Sequence, residues 1–147
     1  MYSDVRSPST WTDMPMSNLN ALELKAFVPA KDFELSKQFY QDMGFTLCWS
    51  EDGMALLHLG DHGEAHHASF LLQHFYVKEH TENFMMHLLV ADVDAWWAQI
   101  QQRDLANKYG VRAEPPEQRP WGMRDFIVVD PSGVLWRIAQ ESLQEQK

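Results

Sequence analysis

At 147 residues, 45% hydrophobic and 22% charged, the chain suits one compact domain whose core needs neither disulfide nor metal to form. A net charge of −9 argues against a nucleic-acid partner, because phosphate binding needs a basic surface. No apolar run approaches the roughly 20 residues of a membrane span, and the single cysteine, Cys48, excludes an internal disulfide and fits a reducing cytoplasm.

Residues 1–20 are rich in Ser, Pro, Thr, Asn and Asp and read as an extended N-terminal arm. The arm lacks the apolar stretch of a secretory signal. Trp11 is a candidate anchor for it, and Met14 or Met16 is a candidate natural start. From Ala21, "ALELKAFV" alternates, with Leu22, Leu24, Ala26 and Val28 on one face and Glu23, Lys25 and Phe27 on the other. Such alternation predicts a strand. Asp32 is placed to cap a helix over "FELSKQFYQDM", where Leu35, Phe39 and Met43 share one face, and Gly44 is placed to end it. Strands follow at "FTLCWS" and "MALLHL", joined at Glu51-Asp52-Gly53; a loop over 60–67 leads to a third strand over 68–77.

The pattern then repeats. "NFMMHLLV" reads as a strand, and Asp92 or Asp94 caps a helix over 93–105 that turns Val93, Trp97 and Ile100 inward. A short strand and a loop around Pro115-Pro116 follow, and the hairpin 119–138 closes the domain. Its turn is Asp130-Pro131-Ser132-Gly133. Proline presets φ at the second turn position, and glycine tolerates positive φ at the fourth. Each half is thus strand, helix, three strands, an α+β βαβββ unit, and the two capping aspartates lie 60 residues apart. That offset marks an internal duplication. It puts Lys25 opposite Met85 and divides the domain, 21–140, into modules over 21–79 and 83–140, with 141–147 as a tail.

Four stretches, "VPAKDFELSKQFYQDMGF", "LVADVDAWW", "PWGMRDF" and "VVDPSGVLWRI", resemble the vicinal oxygen chelate superfamily of glyoxalases, extradiol dioxygenases and fosfomycin and bleomycin resistance proteins. "PWGMRDF" followed by "DPSG" is most similar to the bleomycin-resistance branch. The resemblance implies duplicated βαβββ modules forming a curved mixed sheet, or cup. It also implies a homodimer, often with elements shared across the interface. Catalytic members hold one divalent metal in the cup with His, Glu or Gln, one from each of four strands. Carried over to this chain, three of those positions are Lys25, Met85 and Arg137. The fourth falls within "FLLQHF", where Gln73 is the expected match and Leu72 or His74 the alternatives. An ammonium and a guanidinium have no lone pair to give, and a thioether is a poor ligand for a hard ion. The resemblance therefore implies that the usual metal site, and any cofactor with it, is missing.

The other candidates are weaker or of a different kind. Cys48 is expected to be a buried structural thiol rather than a nucleophile. His62, His66 and His67 fall in the loop, where zinc would bind only opportunistically. His87 shares a strand face with Met85 and Leu89; it is either a half-buried histidine bonded to a neighbour or a ligand contact. There is no Gly-rich phosphate loop and no GxSxG elbow. Trp97 and Trp136 fall at packing positions, and Trp49 ends a strand. Trp121, between Arg119 and Arg124 in a loop, offers a stacking surface for a planar ligand. Lys25 and Arg137 need counter-charges, from Glu23 or another local carboxylate, or from an anionic group on a ligand.

The expectation is a metal-independent, cytoplasmic, homodimeric protein that sequesters a small molecule, aromatic or cationic, of the bleomycin-like antibiotic type. Its contacts would be Lys25, Phe27, Trp49, Gln73, Met85, His87, Trp121, Arg124 and Arg137. One alternative is a glyoxalase- or dioxygenase-like metalloenzyme with displaced ligands His87, His74 and Gln73. The other is a structural dimer whose cup is filled by its own side chains.

Overall fold

A computed structural model describes residues 19–60 and 67–142. The first module runs β1 (Phe27–Ala30), α1 (Phe33–Met43), β2 (Thr46–Glu51), β3 (Met54–Leu59) and β4 (Ala68–His74). A one-turn helix, α2 (Lys78–Thr81), leads to the second module: β5 (Met85–Leu89), α3 (Val93–Gln102), α4 (Leu105–Tyr109), β6 (Ala113–Gln118), β7 (Met123–Val129) and β8 (Leu135–Glu141).

The two capping aspartates act alike. Asp32 accepts from the Leu35 amide at 3.2 Å, and Asp92 accepts from the Ala95 amide at 3.1 Å. Each satisfies an amide that the first helical turn leaves unpaired. The strands make two four-stranded mixed sheets, ordered β1-β4-β3-β2 and β5-β8-β7-β6. In each, the first strand runs parallel to the last, with Phe27 beside Leu71 and His87 beside Arg137. One face of each sheet is covered by its helix and the other is open. The alternation of period two decides which side chains go where.

The helix-side faces make one core. Tyr40 and Phe45 from the α1 region, Phe70 from β4 and Trp136 from β8 meet with ring centroids 4.9 to 6.0 Å apart. The closing turn bolts the modules together. Asp130 Oδ1 accepts from the amides of Ser132, Gly133 and Val134 at 2.8 to 2.9 Å. Its Oδ2 accepts from the Tyr40 phenol of the first module, which in turn accepts from Trp136 Nε1 at 2.8 Å. Ser132 Oγ accepts from the Lys31 amide at 2.8 Å. Burial pushes the Asp130 carboxyl above its ordinary range against the pull of these donors, and burial beside that carboxylate pushes Tyr40 up.

Several expectations need correction. The first strand starts at Phe27, not Ala21, and Leu22 and Leu24 are 92% and 96% exposed. Alternation makes a strand only where a ladder partner lies alongside. Here the contact with β4 ends where the Leu71 amide reaches the Ala26 carbonyl at 3.0 Å. The helix expected over 93–105 stops at Gln102; Asp104 takes a left-handed φ of 55° and a second helix begins at Leu105. Pro115 and Pro116 lie within edge strand β6, where the ladder shifts between Glu114 and Glu117. A bulge on an edge is where residues without an amide hydrogen are tolerated. The strand expected to run to Val77 ends at His74. Cys48 is exposed, at a register shift on edge strand β2, and so is not a buried thiol. The expectations for residues 1–18, including Trp11, Met14 and Met16, for His62 and His66, and for the tail beyond 142 lie outside the described residues.

Candidate functional site: the open sheet faces

The open face of the first sheet is apolar. Cα partners run across all four strands as Phe27, Leu71, Leu56 and Trp49. Phe27 is 52% and Trp49 47% exposed. The next row holds Pro29, Gln73, Met54 and Glu51. Strands lie about 4.8 Å apart, so the first row spans about 14 Å.

The open face of the second sheet is polar by comparison. Met85, His87 and Leu89 are exposed on β5. His87 pairs with Arg137, Arg137 with Ile127, and Ile127 with Glu114. Beside that row, Asp125 lies between Ala139 and Glu117. Asp125 is buried, and it takes Arg137 Nη1 on both oxygens at 3.1 Å and Arg119 Nε on Oδ1 at 2.8 Å. A buried charge is tolerated only when paired in this way. Arg119 Nη1 also reaches Glu117 at 3.1 Å. Arg119 opens the turn that carries Trp121, which is 62% exposed.

The expected site residues therefore divide. Phe27, Trp49 and Gln73 lie on the open face of the first sheet, and Met85, His87 and Arg137 on that of the second. Trp121 projects from the β6–β7 turn. Lys25 lies just before β1 and pairs with Glu23. Arg124 is elsewhere: it points to the helix side of β7 and forks onto Asp94 of α3 at 2.7 and 3.2 Å. The hydrogen bonds from Arg124 hold the Asp94 carboxyl below its ordinary range. Both cup cations, Lys25 and Arg137, thus take the local-carboxylate option.

The register also relocates one family position. Phe27 and His87 each stand five residues before a capping aspartate, and their parallel partners are Leu71 and Arg137. The residue equivalent to Arg137 is therefore Leu71, two before Gln73. A hydrocarbon side chain donates nothing to a metal, so the set Lys25, Met85, Arg137 and Leu71 does not fit a divalent ion. The displaced set fares no better. Gln73 and His74 are neighbours on β4 and point to opposite faces, with His74 stacked 5.8 Å from Phe33. His87 belongs to the other sheet. Among the described residues, no three His, Cys, Asp or Glu side chains gather into a metal-binding group.

Sequence reasoning missed Asp125, Leu71 and Leu56, and named Arg119 only as a neighbour of Trp121. Asp125 had a signal: one carboxylate at the mouth of the apolar run "FIVV". The two leucines had none, because a leucine in a strand reads as core until the other face is seen to be open.

The fold is thus a duplicated βαβββ unit with one apolar open face and one charge-paired one. The chain belongs to the Glyoxalase/Bleomycin resistance protein/Dioxygenase superfamily, whose model matches residues 22–138. It is 25% identical over 123 residues to a bleomycin resistance protein of Klebsiella pneumoniae, covering 79% of this chain and 90% of that one. Its fold is similar to that of a bleomycin-binding protein complexed with bleomycin, with a TM-score of 0.65 at 20% identity, covering 83% of this chain and 100% of that chain. It is also similar to an antibiotic binding protein from a Streptomyces species, with a TM-score of 0.62 at 28% identity, covering 84% of this chain and 99% of that chain. No helix among the described residues is long and apolar enough to cross a membrane.

Proposed function

We propose that this chain is an antibiotic-binding protein that sequesters a small molecule of the bleomycin-like type, without a resident metal and without making or breaking a bond. What supports this reading is that Lys25, Met85, Arg137 and, by strand register, Leu71 stand at the positions where the resemblance expects metal ligands, and two of them are cations. The open face of the first sheet exposes Phe27 and Trp49, the β6–β7 turn exposes Trp121, and rigid aromatic surface contributes large contact area at little entropic cost. Phe27, Trp49, Gln73, Met85, His87, Trp121 and Arg137 form the contact set, with Lys25 at its edge. Arg124, held on the helix side by Asp94, is left out of it.

The working unit in this reading is a cytoplasmic homodimer. Support comes from the apolar surface one chain leaves open, which includes Leu22, Leu24, Met85 and Leu89. Exposed apolar area of that kind marks a contact surface. The relatives named above, one of them a bleomycin resistance protein, support the ligand type.

The test is titration of tryptophan fluorescence with bleomycin, on protein purified without metal-affinity steps and assayed for metal. Saturable quenching with no stoichiometric metal is the expected result. Metal retained through dialysis would overturn the metal-independent reading, and absence of saturable binding would overturn the ligand.

A further inference from the structure

Among the described residues the two sheets share no ladder. In the first, β4 begins at Ala68, but its pairing with β1 begins only at Leu71. In the second, β5 is an edge strand whose ladder partner is β8. The start of β4 and the edge of β5 therefore meet at a seam that no backbone pairing closes. A cavity of about 140 Å³ lies there, and both strands line it, Ser69 and Phe70 from β4, Met86 and Leu88 from β5. Phe45 and Trp136 line it from the core.

The lining is mostly carbon. Phe45, Phe70 and Trp136 are buried, with ring centroids 5.2 to 5.6 Å apart. The Trp136 N–H is committed to the Tyr40 phenol at 2.8 Å, which leaves carbon to face the cavity. Met86 adds an adaptable thioether that packs well against an aromatic edge. The polar side chains of the lining are Ser69 and His87, and strand alternation turns both away from the core. Water needs two to four polar partners to settle in a cavity, whereas an apolar cavity of about 150 Å³ engineered into another protein takes benzene. A charged ligand would lose its hydration against these rings.

We infer that the seam between the modules is a binding site separate from the open sheet faces, and that it takes one uncharged six-membered aromatic ring. A single polar substituent, as in phenol, would turn toward Ser69 and His87. A ring bound there touches Phe70 of the first module and Met86, Leu88 and Trp136 of the second, so its binding stabilises the joined modules by mass action.

The experiment is thermal unfolding, followed by circular dichroism, with benzene, benzoate or naphthol. Benzene at about ten times its dissociation constant should raise the melting temperature by about 3 to 6 °C. Benzoate brings a charge and naphthol a second ring, so neither should shift the melt at the same concentration.

Two variants locate the site by filling it. Ala68→Val adds carbon from β4 and Leu88→Phe from β5, and Ala68 and Leu88 both line the cavity. In either folded variant the benzene shift should disappear. No shift with benzene, an equal shift with naphthol or benzoate, or a benzene shift that survives filling would overturn the inference. Failure of both variants to fold would show that the seam has no room for the added carbon, and would overturn it as well. None of these results bears on the proposed function, whose test is titration with bleomycin.

Discussion

The phenol of Tyr40, on α1 of the first module, donates to the carboxylate of Asp130, in the last turn of the second. Both groups are buried, and the same phenol accepts from Trp136. Tyr40→Phe keeps the ring packing but removes one donor from a buried carboxylate and strands the indole N–H. A loss of about 1 to 3 kcal/mol is expected. Urea unfolding measures it, and an unchanged midpoint would show that the bond contributes nothing to joining the modules.

Trp121 stands 62% exposed on its turn. Trp121→Ala should weaken ligand binding several-fold while shifting stability by less than about 0.5 kcal/mol. The measurement is a fluorescence-independent titration, by calorimetry, together with a thermal melt. A large drop in melting temperature with binding intact would make Trp121 a packing residue.

Asp125 ties β8 to the Trp121 turn, since it holds both Arg137 and Arg119. Asp125→Asn leaves two partly exposed guanidiniums without their shared anion. The expected cost is about 2 to 4 kcal/mol, toward the lower end of the range for broken buried pairs because the arginines reach solvent. Denaturant unfolding of the variant measures it. Arg124→Ala is the contrast. Its pair with Asp94 is exposed, so it should change stability by less than about 1 kcal/mol and leave ligand affinity unchanged.

Asp42 closes α1 onto the second module. It accepts from Lys108 Nζ and the Tyr109 phenol, each at 2.6 Å. Burial pushes its carboxyl up, but those two hydrogen bonds and the charges of Lys108 and Arg103 outweigh it and hold the group below its ordinary range. A carboxyl depressed in the folded state contributes stability that is fully present above the unfolded value of about 3.9. That stability is lost as pH falls through the lower folded value. Asp42→Asn should therefore be less stable than the parent at about pH 7, and the difference should shrink toward about pH 3. Denaturant unfolding at both pH values tests this; a gap that stays constant with pH would place the effect outside titration.

The duplication is legible because it is written in local chemistry. Asp32 and Asp92 cap their helices through their own side chains, and Asp130-Pro131-Ser132-Gly133 makes its turn with a Gly133 amide to Asp130 carbonyl bond of 3.0 Å. None of this needs a distant partner to be read. The errors lie where a partner decides. "ALELKAFV" alternates over eight residues, but only its last two belong to β1. Cys48 reads as core because cysteines are so often buried, yet its strand is an edge. Arg124 reads as part of a ligand wall by its nearness to Trp121, but odd and even residues of β7 face opposite ways.

By itself, then, the sequence determined the repeat, the helix starts and the closing turn, and through its resemblance set an expectation for the residue types at a relative's metal positions. Those follow from short-range capping, turn and periodicity rules, together with the lone pairs a side chain does or does not carry. Only the tertiary structure decided which face of each sheet stays open and which carboxylate answers which cation. It also decided that Leu71 rather than Gln73 is the register equivalent of Arg137. These depend on strand register and helix coverage, which bring together residues as far apart as Tyr40 and Asp130, and no local pattern encodes them.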